Sequence, residues 1–289
     1  MPTTLSPLRY PGGKTKLYSY VRELLRVNNL LGKTYIEPFA GGAGLSIMLL
    51  LNSDVERIVI NDLDPSIYCF WSAILSSTED FCELITKTEI TIEEWHRQKA
   101  VYNSQDMSNP LELGFATFFL NRTNISGVIK GGVIGGINQT GTNTMDARYN
   151  KEGLIVKIRK IASRKSDIFI HNLDAQEFLR DGHLRKYYKA FIYFDPPYVQ
   201  KGAILYKNSF TETDHRHLAD EIADCGRKWI VTYDVCSLVT ELYSSFRHSL
   251  LDITYSVKRS KKAHEYIFFS DNMVIPQGVH YSSPLQSDG

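Results

Sequence analysis

The sequence has little that would mark a special environment. Its four cysteines, Cys69, Cys82, Cys225 and Cys236, form no CxxC pair, and no Cys/His group has zinc-finger spacing. A disulfide scaffold is thereby excluded; free thiols in a reducing compartment are expected, with no metal. No apolar run reaches the length that spans a bilayer, so no membrane partner is expected. Residues 1–14 show no cationic start followed by an apolar stretch, so no signal peptide is read there and the expected location is the cytoplasm. There is no internal repeat, and no global excess of either charge: the net charge is only +1. A nucleic-acid partner must therefore announce itself locally.

What is present is a pattern of alternating elements. A strand over 34–40 runs into a glycine-rich turn, an apolar helix follows over 44–52, a strand over 57–61 ends in Asp62, and a helix covers 65–76. This alternation predicts a doubly wound α/β domain with a mostly parallel, Rossmann-like sheet. Helical patterns around a glycine-rich stretch then occupy residues 76–165. Strands return at 167–171, 190–194, 228–233 and 265–269. The expected organisation is a catalytic domain from 1–75 and 165–275, split by an inserted helical region over 76–164. A loose polar tail is expected over 276–289.

The insertion carries the local charge. Between residues 120 and 165 stand Arg122, Lys130, Arg148, Lys151, Lys157, Arg159, Lys160, Arg164 and Lys165. Only Asp146 and Glu152 oppose them, so the segment is +7 and the rest of the chain −6. One basic segment on a neutral protein suits a phosphate backbone; a solvated helix face at 151–165 is the alternative. Gly127, Gly131, Gly132, Gly135 and Gly136 interrupt short β-prone pairs, as in a hairpin or loop that approaches another backbone closely. The polar candidates for DNA contact around it are Asn121, Arg122, Asn124, Ser126, Lys130, Asn138, Gln139 and Arg148.

Three motifs bear on chemistry. In the first, residues 37–44 (EPFAGGAG), a glycine-rich turn between strand and helix lets a ligand lie on bare backbone. Asp62 falls twenty residues past Gly42, where an acidic side chain can hold a ribose hydroxyl pair. The dinucleotide fingerprint itself fails, because its third glycine would fall at Ile47. The second motif, residues 9–15 (RYPGGKT), ends like a phosphate loop, but Leu8 stands where that loop needs glycine. The third is Asp195-Pro196-Pro197-Tyr198, directly after the apolar strand 190–194. The prolines fix a carboxylate, a carbonyl and an aromatic ring at the carboxyl end of a strand, where open α/β sheets bind ligands. An amine on an aromatic base is a poor nucleophile because its lone pair is delocalised. The Asp195 carboxylate and Pro196 carbonyl can accept its protons and localise that lone pair, and Tyr198 can stack on the base.

In order along the chain stand RYPGGK (9–14), EPFAGGAG (37–44), INDLD (60–64), FFLNRTNISG (118–127), DPPY (195–198) and NSFTETDHRHLA (208–219). On this ordered set, over roughly residues 6–270, the chain resembles the Dam-type family of DNA adenine methyltransferases. The resemblance implies S-adenosylmethionine as methyl donor, the N6 amine of a flipped-out adenine in double-stranded DNA as target, and no metal. It implies a cofactor site from Tyr10, Lys14, Phe39, Ala40, Gly41, Gly42, Gly44, Asp62, Asp174 and Asp195. Asp195, Pro196, Pro197 and Tyr198 would be the catalytic set, and the insertion the target-recognition region. Family members act alone or beside a cognate restriction endonuclease for the same site, without needing a complex with it. Residues 127–141 depart from the recognition hairpin of members that methylate GATC. Methylation of RNA or of a protein amide, and a catalytically inactive DNA binder, are the competing readings.

Of the remaining residues, His215 and His217 are expected on an exposed helix start within 212–226. Lys258, Arg259, Lys261 and Lys262 form either a phosphate contact or a solvated loop. Trp95, Tyr102, Phe115, Phe118 and Phe119 are expected in the core.

Overall fold

The computed structural model describes residues 4–9, 14–180, 184, 186, 187, 189–200 and 210–276; residue 258 and the side chains of 252–263 fall outside the description. Five strands run parallel: β1 (Thr34–Glu37), β2 (Arg57–Asn61), β3 (Ile168–His171), β4 (Ala190–Phe194) and β5 (Lys228–Asp234). β6 (Arg247–Val257) and β7 (Arg259–Phe269) form a long antiparallel hairpin, and β7 lies antiparallel on β5. The sheet order is β3-β2-β1-β4-β5-β7-β6. Growth of the sheet reverses between β1 and β4. A crevice opens at the carboxyl ends of such strands, and Glu37 and Asp195 stand at its two lips.

β1 and β4 are buried along their whole length, as central parallel strands must be. Their residues alternate between two cores with a period of two. Tyr35, Ile58, Phe191 and Ile230 face one core, shared with α1 (Tyr18–Val27), α2 (Gly44–Leu51) and α3 (Pro65–Ser76). Ile36, Val59, Ile192 and Val231 face the other, shared with α8 (Ala175–Arg180), α9 (Glu212–Asp224) and α10 (Ser237–Leu242). The helices start where capping residues place them. Asp64 accepts from Ser66 N–H ahead of Pro65, and Thr211 and Asp214 close a reciprocal capping box on α9.

The inserted helices are α4 (Thr78–Lys87), α5 (Ile92–Ser104), α6 (Pro110–Thr123) and α7 (Lys151–Ala162). Their aromatic residues are core, as the pattern suggested. Phe118 stacks on Phe70 of α3 at 6.2 Å and meets Phe81 edge-on at 5.4 Å. Each such buried ring contributes roughly 1.5–3 kcal/mol. The insertion thus shares one continuous core with the sheet.

Two local expectations change. The last strand is longer than 265–269 and has a partner, β6, which the polar sequence of 252–264 did not announce. Of the two forms expected for the glycine-rich stretch, hairpin or loop, residues 127–141 take the loop: successive turns, with one antiparallel bridge from Asn124 to Val133. His215 is buried, not exposed. It lies one turn inside α9, and its Nδ1 is 2.9 Å from the Tyr233 hydroxyl. Residues 277–289, most of the proposed tail, lie outside the description, as do Asn208 and Ser209 of the 208–219 motif. Among the described residues no helix is long and apolar enough to cross a membrane.

Candidate active site

The turn after β1 is braced from three sides. Asp62 Oδ2 accepts from Gly41 N–H at 2.7 Å, Trp71 Nε1 donates to Gly41 O at 3.0 Å, and Ser6 Oγ donates to Gly42 O at 2.5 Å. Gly41 and Ala43 both adopt positive φ, +46° and +43°, so the turn is tight enough to expose bare backbone. Asn61 ties three strand ends together: its amide donates to Pro38 O and Leu173 O and accepts from Leu173 N–H, each at 3.0 Å. Beside the turn lies a small recess lined by Ala40, Asn61, Asp62, Tyr68, Trp71 and His171. Burial pushes the Asp62 carboxyl up to about 6, against the backbone N–H groups of Asp64 and Gly41 that hold it ionised. Each of its oxygens accepts one backbone proton and keeps a second lone pair. Phe39, half-buried, meets Phe210 edge-on. Asp174 caps α8 through Gln176 N–H at 2.9 Å. Tyr10 lies outside the described residues.

Lys14 is not in that recess. Its ammonium sits on the Asp195 carboxylate, 3.1 Å from Oδ1, 2.9 Å from Glu265 Oε2 and 2.5 Å from the Tyr198 hydroxyl. Asp195 Oδ1 accepts a second bond from Thr232 Oγ1 at 2.9 Å, and Thr232 in turn meets the Tyr193 hydroxyl at 2.9 Å. Among the described residues nothing donates to Asp195 Oδ2. Burial raises the Asp195 carboxyl above its ordinary value, although Lys14 pulls it down. Burial alone would lower the Lys14 ammonium, but Asp195 and Glu265 together hold it above its ordinary value. Glu37, at the opposite lip, accepts from the Tyr35 hydroxyl at 3.0 Å, and burial pushes it up to about 7. Pro196 is buried and Pro197 half-buried. Tyr198 is only 7% exposed, so stacking on its ring requires the covering chain to give way. The segment after it is anchored by Asp234, whose two oxygens accept from Val199 N–H and Gln200 N–H.

The structure divides the candidates for DNA contact. Asn121 is buried and spends its whole amide on Arg9 N–H, Arg9 O and Gly127 O. The join is tight: Gly127 has φ +77°, and a Cβ there would stand 2.3 Å from Arg9 O. Asn124 is buried too, accepting from Trp95 Nε1 and donating to three loop carbonyls. Gln139 braces the 134–145 turns through Ile134 O, Gly136 O and Met145 N–H. The N–H groups of these three amides are all used inside the fold, and Asn121 and Asn124 are buried with them. Lys130, Asn138 and Arg148 are exposed, and Ser126 and Arg122 half-exposed.

Arg122 belongs to a cluster the sequence showed only in part. Burial lowers its guanidinium to about 10, with Arg9 and Arg148 adding repulsion. Burial likewise lowers Arg9, with help from Arg148, and Lys157, with help from Arg122. Among the described residues no carboxylate pairs with these four, and Arg122 Nε is buried without a partner. Sequence reasoning missed Arg9, Glu37, Thr232 and Glu265 as site residues. Glu265 did leave a signal, as a lone acid entering an apolar strand.

Asp195 Oδ2, which takes no bond from the described residues, is the kind of acceptor an amine needs before its nitrogen can attack a methyl donor. Its place in the β1–β4 crevice of a doubly wound sheet marks an amino-methyltransferase. Residues 10–257 match the D12 class N6 adenine-specific DNA methyltransferase family, and the chain belongs to it. It is 26% identical over 276 residues to the Retron Ec67 DNA adenine methylase of Escherichia coli, covering 91% of this chain and 90% of that protein. It is 23% identical to the type II methyltransferase M.MjaIII of Methanocaldococcus jannaschii, covering 72% and 73%. It is 21% identical to the type II methyltransferase M.CviBI of Paramecium bursaria Chlorella virus NC1A, covering 87% and 91%. The protein is an adenine-specific DNA methyltransferase.

Proposed function

We propose that the enzyme uses S-adenosylmethionine to methylate an adenine that has left the double helix, with Asp195 Oδ2 as the acceptor for the N6 amine. The observation that carries this is the inequality of the two carboxylate oxygens: Oδ1 is held by Lys14 and Thr232, while Oδ2 takes no bond from the described residues. Oδ2 and the Pro196 carbonyl accept the two amine protons and draw the nitrogen lone pair out of conjugation. Bound S-adenosylmethionine supplies an electrophilic methyl group on a sulfonium. The chain fits that cofactor: Asp62 keeps free lone pairs for a sugar hydroxyl pair, and the turn at 40–44 offers bare backbone beside the recess. The excess proton leaves the nitrogen through Asp195. No residue bonds covalently to the base.

The cluster of Arg9, Arg122, Arg148 and Lys157 is a seat for DNA phosphate, since an anion there relieves unpaired, partly buried cations. Lys130 and Asn138, exposed, and Ser126, half-exposed, are the groups left to meet base edges. Arg122→Ala should weaken DNA binding evenly over all sequences and lower the slope of log K against log salt by about 0.9. Competition binding over a set of duplexes at several salt concentrations measures both. A loss confined to one base position makes Arg122 a base reader instead.

A base within the stack cannot reach a carboxylate held at the carboxyl end of the sheet, so the target must be extruded at a cost of roughly a few kcal/mol. Stacking on Tyr198 returns roughly 1–3 kcal/mol. With 2-aminopurine at the target position, enzyme binding should raise its fluorescence, and Tyr198→Ala should raise it further while slowing methylation. A probe that stays quenched with both wild type and Tyr198→Ala, in complexes proven to form, would rule out extrusion.

A further inference from the structure

Glu265 is 1% exposed, and its Oε1 has no partner among the described residues. A buried carboxylate oxygen without a partner is costly and calls for a reason. Its other oxygen is 2.9 Å from Lys14 Nζ, and Lys14 is itself 3.1 Å from Asp195 Oδ1. The sheet explains how the three meet. β7 runs antiparallel, so its first paired residue opposite β5, Glu265, stands across from Asp234 at the carboxyl edge of the parallel strands. A residue from the end of the fold and one from its beginning, 251 positions apart, thus close over the catalytic motif.

We propose that Lys14 and Glu265 form a charge couple that sets the position and basicity of Asp195, with Glu265 acting as a positioning residue through Lys14. The proposal rests on the reading of Asp195 as the amine acceptor. Lys14 grips Oδ1 and so aims Oδ2 into the crevice. Left alone with Asp195, the ammonium would form a one-to-one pair and make the carboxylate a poor acceptor. Glu265 takes a share of that ammonium. The three side chains together carry one negative charge, which matches the single positive charge of a sulfonium donor. Lys14 then serves the acceptor rather than the cofactor.

The couple predicts opposite shifts from its two halves. In single-turnover methylation of duplex DNA with saturating cofactor, Glu265→Gln should slow transfer about tenfold at neutral pH. It should also move the acid limb of the pH profile down by about one unit, because a negative charge facing Asp195 is gone. Lys14→Met leaves two facing carboxylates, so its acid limb should move up. Affinity for S-adenosylhomocysteine, read by calorimetry, should stay within about threefold of wild type in both. Glu265→Asp keeps the charge and should keep the wild-type limb; it also serves if the Gln variant does not fold. Equal slowing at every pH with unmoved limbs would reduce the pair to a structural strut and overturn the proposal. A large loss of cofactor affinity with unmoved limbs would return Lys14 to the cofactor site and overturn it as well. If the wild type puts no methyl group on adenine N6, the reading beneath the couple fails, and the couple with it. An Asp variant whose limb moves as far as that of the Gln variant also refutes it.

Discussion

Asp195→Ala should transfer methyl groups roughly a thousandfold more slowly than wild type while keeping its fold, the loss expected when a positioned proton acceptor is removed. The fold survives because the deletion leaves no stranded charge. Lys14 stays paired with Glu265 at 2.9 Å, and Thr232 can turn its hydroxyl to Tyr193. Desolvation holds the half-buried Asp195 carboxyl above its ordinary pKa, so its removal relieves that cost. Asp195→Asn keeps a carbonyl acceptor and should fall between the two. Tritium transfer gives the rates, and circular dichroism with thermal melting checks the fold. A folded alanine variant with near-normal turnover removes Asp195 from the chemistry.

Asp62→Ala should weaken cofactor binding about tenfold to a hundredfold, with DNA binding in the absence of cofactor unchanged. Two contributions add. A hydrogen bond to a charged group is worth about 1.5–3 kcal/mol, and the Gly41 N–H that Asp62 holds would lose its partner, loosening the turn. The pH dependence separates the roles. The Asp62 carboxyl lies at about 6 in the folded protein, above its usual value. Its ionisation therefore costs stability as pH rises towards and past 6, and protonation below 6 removes the anion a sugar hydroxyl would donate to. Wild-type affinity for S-adenosylhomocysteine should fall as pH drops through about 6, and this dependence should be absent in the alanine variant. Unchanged affinity at pH 7.5 refutes the ribose assignment.

The parallel strands were legible because each pairs a short apolar run with a helical period. The helix over 65–76 was found to the residue, since Asp64 and Pro65 mark its start. The Asp195–Tyr198 motif stood out because a carboxylate, a fixed carbonyl and an aromatic ring are compressed into four adjacent residues. The rest of the site is not compressed. Lys14, Thr232 and Glu265 meet Asp195 only through sheet order and the antiparallel entry of β7. No local pattern encodes that. Polar residues also misled by type. Asn121 and Asn124 resemble base readers, yet a loop full of turns needs amides to satisfy its inward-facing carbonyls, and these two buried side chains serve there. His215 looked exposed because its neighbours are charged, but the capping box fixes the phase of α9 and turns it inward.

The most direct test of the account is where the label goes. Wild-type protein and Asp195→Ala are incubated with methyl-tritiated S-adenosylmethionine and unmethylated plasmid DNA, and the DNA is digested to nucleosides and resolved by chromatography. The account predicts tritium in N6-methyldeoxyadenosine with wild type and almost none with the variant. Tritium in a methylated cytosine, or equal labelling of adenine by both proteins, would contradict it.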